Sequence, residues 1–250
     1  MIICSITTIP GRTKSLIKVL NELTRSTVLP DKILISLSDF YPRTNKSYSK
    51  TDLEILEDFL KSYPIPSEVM RYEVDVGPTL KLITPVRFIT EEKLEESNPM
   101  ILIMDDDSPL YDRALECLLN HGFKDKDSVH GIMGCINNSF VHAENINEET
   151  EVELLGGYRG VLYPYSVAKK IKDSVQYFLD QHEKKNMFPM HDDHIFSCCL
   201  RKHKIRMKVC PVPDKNRLNY DPISNEDGIF SDATCSASVE LTKKICEECP

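Results

Sequence analysis

Short apolar runs and helix-spaced apolar positions take turns along the first hundred residues. Residues 2–7, Ile-Ile-Cys-Ser-Ile-Thr, predict a strand that stops at the polar, Pro/Gly-containing turn Thr8-Ile9-Pro10-Gly11-Arg12. Behind Thr13, expected as the N-cap, Leu16, Ile17, Leu20 and Leu23 recur at helical spacing and predict a helix over 13–23. A second strand follows over 32–37, then a polar loop over 38–43, then a helix over 52–60 carried by Leu53, Leu56, Phe59 and Leu60. Residues 70–74 predict a strand leading through Asp75-Val76-Gly77-Pro78 into a helix whose stripe is Leu80, Ile83, Val86, Phe88 and Ile89. The run 101–107, Ile-Leu-Ile-Met-Asp-Asp-Asp, is bounded by Pro99 and Pro109 and reads as a fully buried central strand. Strands alternating with helices at this spacing imply an α/β fold: a mostly parallel central sheet flanked by helices.

The second half is less regular. A helix is expected over 114–119 and a strand over 129–136 with Gly131 and Gly134 inside it. Residues 142–153 are acidic and polar, a surface loop. The segment around Gly156, Gly157, Tyr158, Arg159 and Gly160 admits two readings, a pocket wall where a polar ligand lies against backbone, or a β-hairpin with a glycine turn. A helix over 167–179, in one or two pieces, precedes His191-Asp192-Asp193-His194. Apolar spacing at Ile195, Cys198 and Cys199 continues that stretch as a helix to about 203, so Asp192 and Asp193 stand at a helix start. The helix dipole lowers a carboxylate pKa there, which suits a cap and also an ionised base. Residues 214–232, rich in Asp, Asn, Pro and Ser, read as a mobile loop or lid, and 237–246 as a terminal helix.

With 250 residues, 41% hydrophobic and 28% charged, the chain is an ordinary globular one, read as a single domain over 1–250. A net charge of -8 and a pI near 5.4 argue against a nucleic-acid partner. The amino terminus lacks a basic region with a cleavage site, and no apolar run approaches the length of a transmembrane segment; a soluble, cytoplasmic protein is expected. Nine cysteines without a signal peptide, among them Cys4, Cys117, Cys135, Cys198 and Cys199 beside apolar residues, read as reduced. The tail pair Cys246 and Cys249 reads as incidental, with a terminal disulfide or an adventitious metal as the alternatives.

The candidate chemistry lies at the end of the central run. In an extended strand Asp105 and Asp107 share a face about 6.6 Å apart, with Asp106 opposite. Two such charges repel by roughly 2.5 kcal/mol at an effective dielectric near 20, a penalty that a divalent cation removes. The alternative is a solvated turn whose aspartates cap a helix starting near Leu110. In parallel sheets ligands bind beyond the carboxyl ends of strands, so three segments converge: 7–12, 75–81 and the triplet. Backbone amides near Arg12 suit a phosphate or a nucleobase edge, while Thr8 serves equally as a cap; Lys81 either neutralises a diphosphate or is simply solvated.

Taken together, Ser5-Ile6-Thr7-Thr8-Ile9-Pro10-Gly11-Arg12, Asp75-Val76-Gly77-Pro78, Asp105-Asp106-Asp107 after an apolar strand, and Asp192-Asp193 at a late helix resemble a small family 2-like glycosyltransferase of the GT-A fold, of the bacterial or large-DNA-virus type. The resemblance covers about residues 1–210. It implies a nucleotide-binding half over 1–110, a sugar and acceptor half over 111–210, and a carboxyl-terminal loop and helix over 211–250. It further implies a nucleotide-diphosphate sugar donor, a carbohydrate or glycoconjugate acceptor, Mn²⁺ or Mg²⁺, and an inverting transfer. On that resemblance Thr7, Thr8 and Arg12 contact the nucleotide, Asp75 the base or ribose, and Lys81 lies near the phosphates. Asp105 or Asp106 touches the ribose, Asp107 with Asp105 holds the metal, and Gly156, Gly157, Tyr158 and Arg159 face sugar or acceptor. Asp193, or else Asp192, is the general base; many family members carry Glu-Asp there, and the usual histidine metal ligand is not identified, although His191 and His194 are near.

Three other readings share features with the chain. Haloacid dehalogenase-like phosphatases carry Asp-x-Asp after an apolar strand, but on the first strand of the domain. A sugar nucleotidyltransferase needs a Gly-rich basic loop after its first strand, of which residues 8–12 are a poor version. A non-catalytic carbohydrate-binding module would have no use for an intact carboxylate set.

Overall fold

A computed structural model describes residues 1–42, 45–137, 139–212 and 233–248, with side chains in the last helix over 237–247. The chain alternates as expected at first: β1 (Ile2–Thr7), α1 (Thr13–Leu23), β2 (Lys32–Ser38), the short hairpin β3 (Phe40–Tyr41) and β4 (Lys46–Ser47), α2 (Lys50–Ser62), β5 (Ser67–Tyr72), α3 (Leu80–Glu91), β6 (Met100–Met104) and α4 (Ala114–Gly122). It continues through β7 (Val129–Gly131), β8 (Met133–Ile136), β9 (Ser139–His142), β10 (Thr150–Val152), β11 (Leu154–Leu155), β12 (Val161–Pro164), α5 (Tyr165–Lys184), α6 (Asp192–Lys202), β13 (Met207–Val209) and α7 (Ala233–Glu248).

The main sheet runs in the order β10-β13-β7-β12-β6-β1-β2-β5, with β12 and the edge strand β10 antiparallel to their neighbours. Its centre is β1 and β6, whose Ile3, Cys4, Ile6, Ile101, Leu102, Ile103 and Met104 are all at most 1% exposed. Strands this apolar are stable only when both faces are covered. On one side α3 packs on β1, β2 and β6 and against α5, with α6 and α7 beyond; α4 lies on β7 and β12. The parallel register pairs Ile6 with Met104. Continued by two residues, it sets Thr8 beside Asp106, so the ends of β1 and β6 open onto one rim.

Several expectations are corrected. Arg12, not Thr13, occupies the N-cap position of α1, and no side chain caps it; Thr13 is the first, buried, residue of the helix. The strand expected over 70–74 starts and ends earlier, because pairing with β2 begins at Ser67. The polar segment after β2 forms the hairpin β3–β4. The strand expected over 129–136 is two strands in two sheets: β7 belongs to the main sheet, and β8 joins β9 and β11 in a three-stranded one. Gly134 permits that handover, since a Cβ there would meet the Leu154 carbonyl at 2.7 Å and the Val152 and Val209 side chains. The acidic loop over 142–153 contains β10, and the glycine segment is not a hairpin, for β11 pairs with β8 while β12 pairs with β6 and β7. Helix α5 is one piece; α4 starts at Ala114, as the helix expected over 114–119 does, and not near Leu110 as the capping alternative needs. Cys198 of α6 is joined by a disulfide to Cys246 of α7, which corrects the reading of Cys198 as reduced and of Cys246 as incidental. The expected lid over 214–232 lies outside the described residues; the terminal helix expected over 237–246 is part of α7.

Leu102, fully buried between β1 and β12, tests the packing of this centre. Leu102→Ala is expected to cost about 2–5 kcal/mol, seen as a lowered midpoint with an unchanged slope in denaturant unfolding.

Candidate active site

Beyond the carboxyl ends of β1, β2, β5 and β6 lies a cleft of about 780 Å³. Thr7, Thr8, Arg12, Asp75, Lys81, Asp105, Asp106, Asp107, Gly156, Tyr158, Arg159, Asp192 and Asp193 all line it, and Gly157 touches it through Asp193. Every site residue read from the sequence is thus brought to one place. How they are held differs from the expected alternation.

The strand ends at Met104, so the three aspartates lie in the following turn and are sorted by their cations rather than by strand face. Asp106 is only 4% exposed. It accepts Thr8 Oγ1 at 2.5 Å and Arg12 Nη1 at 3.0 Å, and the same Nη1 reaches Asp107 Oδ2 at 3.2 Å. Burial pushes the Asp106 carboxyl up to about 6, against the pull of Arg12 and Thr8. Asp105 instead turns to Lys81, whose ammonium also donates to Asp192 Oδ2 at 3.1 Å. Lys81 is therefore neither solvated nor an idle helix residue. Burial lowers its pKa, but Asp105 and Asp192 outweigh that and leave it raised. The expected pairing of Asp105 with Asp107, Asp106 facing away, is replaced by one ion pair to Lys81 and one shared guanidinium at Arg12.

The late aspartates are separated in the same way. Both sit in the first turn of α6, as expected, with His191 at the N-cap position. Asp192 is buried on Lys81. Asp193 Oδ1 accepts the Gly157 N–H at 2.9 Å and retains partial exposure to the cleft. Withdrawal from water, and after it the charges of Asp192 and Asp105, hold the Asp193 carboxyl well above its ordinary value. A Cβ on Gly157 would stand 2.8 Å from that carboxylate oxygen, so the glycine is what lets backbone approach it.

Asp75 accepts the Gly77 N–H at 2.8 Å, and burial raises its pKa. Gly77 has φ +71°, and a Cβ there would collide with the Pro189 carbonyl oxygen, so the loop after β5 and the segment before α6 meet through a residue with no side chain. The sequence reading missed other lining residues. Tyr41 of β3, packed edge-on to Phe188 at 5.8 Å, lies in what reads as a polar loop. Phe140 of β9, 70% exposed, and Met133 of β8 come from the small sheet, whose strands are too short for periodicity to reveal. Ser36 and Ser38 are legible in hindsight as alternate residues on β2.

No family model matches the chain, and no curated protein matches it in sequence. Solved structures do resemble it. The mannosyltransferase PcManGT from Pyrobaculum calidifontis, in complex with GDP-Man and Mn²⁺, aligns at a TM-score of 0.50 and 12% identity over 86% of this chain and 58% of its own. S. aureus TarS 1-349 in complex with UDP-GlcNAc aligns at 0.50 and 14% identity over 86% of this chain and 56% of its own. A 4-diphosphocytidyl-2C-methyl-D-erythritol synthase from Anaerococcus prevotii aligns at 0.48 and 13% identity over 97% and 98%. The chain thus spans somewhat under three-fifths of the first two of these structures. At these identities the likeness establishes the fold: α/β, GT-A-like, with a large, mostly parallel central sheet flanked by helices.

Lys81 is the hinge of the site's charge balance, joining a triplet carboxylate to one on α6. Lys81→Met, close in size, is expected to destabilise the protein by about 3 kcal/mol in metal-free buffer, because it strands two partly or fully buried carboxylates. Denaturant unfolding of the two proteins measures it.

Proposed function

We propose that the protein is a glycosyltransferase that moves a sugar from a nucleotide-diphosphate donor to a hydroxyl of a carbohydrate or glycoconjugate acceptor. One observation carries the reading: six aspartates against three cationic side chains line a cleft at the carboxyl rim of a GT-A-like sheet. A cleft so acidic repels a diphosphate unless a divalent cation enters with it. Its size lies within the usual range for small-molecule sites.

The residues fit a hard cation. Carboxylate oxygens suit Mn²⁺ or Mg²⁺. Asp106 is nearly sealed by Thr8 and Arg12, whereas Asp107, which meets Arg12 through Oδ2, and Asp105, which meets Lys81, are partly exposed and would hold the ion from the cleft side. When bound there, the cation would offset the negative charge that grows on the leaving nucleoside diphosphate. Arg12, shared between Asp106 and Asp107, orients the triplet and presents the first turn to the nucleotide beside Thr7 and Thr8. Asp75, close by, takes the base or ribose.

In the transfer, the acceptor oxygen bonds to the anomeric carbon as the bond from that carbon to the donor's phosphate oxygen breaks. The acceptor's proton goes to Asp193, whose raised pKa makes it a stronger base than an ordinary carboxylate. Asp192, occupied by Lys81, is the weaker candidate. Direct displacement of this kind inverts the anomeric centre. Gly156, Tyr158 and Arg159 flank Asp193 and face the sugar or acceptor. The transferase reading is favoured over the phosphatase one by the place of the triplet, which follows β6 and not the first strand. Among the described residues, no helix is long and apolar enough to cross a membrane.

Asp107→Ala is expected to remove the Mn²⁺ dependence of donor binding with the fold intact; calorimetry with GDP- and UDP-sugars, with and without Mn²⁺, measures it, and unchanged affinity would sink the metal assignment. Asp193→Asn is expected to lower transfer by a factor of about 10²–10⁴ while sparing donor affinity. In the wild type, transfer should fall as pH drops through the raised Asp193 pKa, since protonation removes the base, and the fall should begin at a higher pH than an ordinary carboxylate would give. Near-normal transfer by the Asn variant would move the role to Asp192.

A further inference from the structure

At the opposite edge of the main sheet, away from the cleft, four side chains from four elements gather without a role in transfer. His121 stands in the last turn of α4, His130 on β7, Glu149 immediately before β10 and Cys210 immediately after β13. The pairing explains the meeting. His130 lies opposite Lys208 on β13, and Cys210, two residues on, shares that face; its N–H continues the ladder to the Gly131 carbonyl at 2.9 Å. Thr150 lies opposite Val209, so the next antiparallel step sets Glu149 across from Cys210. One ligand atom each from His121, Glu149 and Cys210 falls within 4.8 Å of the others. His121 Nδ1 is 2.7 Å from Glu149 Oε1, and His130 Nε2 is 3.6 Å from the same oxygen.

His130 supplies an independent observation. Its side chain is fully buried, yet neither ring nitrogen has a hydrogen-bond partner. A buried, unsatisfied imidazole costs stability unless something else takes its lone pair. Burial holds its pKa down to about 4, so the ring is neutral and one nitrogen is available as a ligand.

We propose that His121, Glu149 and Cys210, with His130 as the fourth ligand, form a structural zinc site that pins β10 and β13 to β7 and α4. Two imidazoles, a carboxylate and a thiolate make a donor set of the kind Zn²⁺ takes in tetrahedral coordination. Cys210 gives up its thiol proton to solvent on binding, reversing the raised pKa that burial imposes on it. Lys208 takes the other oxygen of Glu149 at 3.0 Å and Asp125 at 2.8 Å, which leaves Oε1 turned towards the imidazoles. A surface pocket lined by Glu116, Cys117, Asn120, His121 and Pro211 adjoins the cluster and gives an ion a way in.

The test is loading of the metal-free whole chain with Co²⁺ and, separately, Zn²⁺. Co²⁺ should give a thiolate-to-metal charge-transfer band, and Zn²⁺ should raise the melting temperature by about 5 °C or more. Both should vanish in Cys210→Ser and weaken at least tenfold in apparent affinity in His121→Ala, whose residue is partly exposed and the less disruptive to replace. Both should persist in Asp107→Ala, which separates this site from the cleft, and in Cys117→Ser. Absence of the thiolate band in the wild type, its loss with Cys117 instead of Cys210, or full retention in His121→Ala overturns the assignment; should Cys210→Ser fail to fold, the His121 and Cys117 variants decide.

Discussion

The constraint on which the rest depends is that a parallel sheet has delivered more carboxylates to its rim than water alone can solvate there. Asp106 is nearly sealed and Asp192 is buried, so each needs a cation within reach. The protein supplies one from each of the helices that follow β1 and β5: Arg12 at the start of α1 and Lys81 in the first turn of α3. Arg12 ties the loop after β1 to the loop after β6, and Lys81 ties the latter to Asp192 of α6, 111 residues beyond the lysine itself. Two buried cations therefore fix the relative positions of the loop after β1, the start of α3, the loop after β6 and the start of α6. Such pairs add little net stability, but losing one partner is costly, so their value lies in specifying the arrangement.

Those ties leave the local backbone little latitude. Gly11, at φ +92°, lets the turn after β1 reverse so that Arg12 faces the triplet. Gly77 brings the loop after β5 against the carbonyl of Pro189, just before α6 begins. Pro85 within α3 has no N–H to offer the Lys81 carbonyl one turn earlier, yet the helix continues because its buried face, Leu82, Val86 and Ile89, is packed on the sheet. The disulfide from Cys198 to Cys246 then holds α7 on α6, and Ser238 of α7 adds a second tie: its Oγ accepts the Met190 N–H at 3.2 Å, two residues before the aspartate pair.

What was legible in the sequence follows from how far each signal reaches. The βα units up to residue 110 were visible because strands five to seven residues long and helices of eleven to thirteen carry their own periodicity. The gathering of Thr8, Asp75, Lys81 and Asp106 was visible because a parallel sheet places successive loops on one edge. Beyond 129 the strands are two to four residues long, and two sheets share the segment, so neither length nor alternation could tell β7 from β8. The sorting of the triplet was hidden for another reason. Strand alternation predicts facing only while the strand lasts, and it ends one residue before Asp105; from there the partner is chosen by the nearest buried cation, a pairing across 94 residues to Arg12 and 24 to Lys81.

The same logic separates two aspartates that the sequence leaves equivalent. Asp192 and Asp193 are adjacent, both in the first turn of one helix. Their surroundings differ. Asp192 points to Lys81 and is held in an ion pair that an acceptor hydroxyl would have to break before its proton could be taken. Asp193 has one backbone N–H for company, and its distance from water and the neighbouring charges of Asp192 and Asp105 outweigh both that hydrogen bond and Lys81. A carboxylate so placed gains by accepting a proton; raised proton affinity and access to the cleft thus coincide on Asp193. The residue that makes this possible is Gly157, because any side chain there would displace the carboxylate from the amide that orients it.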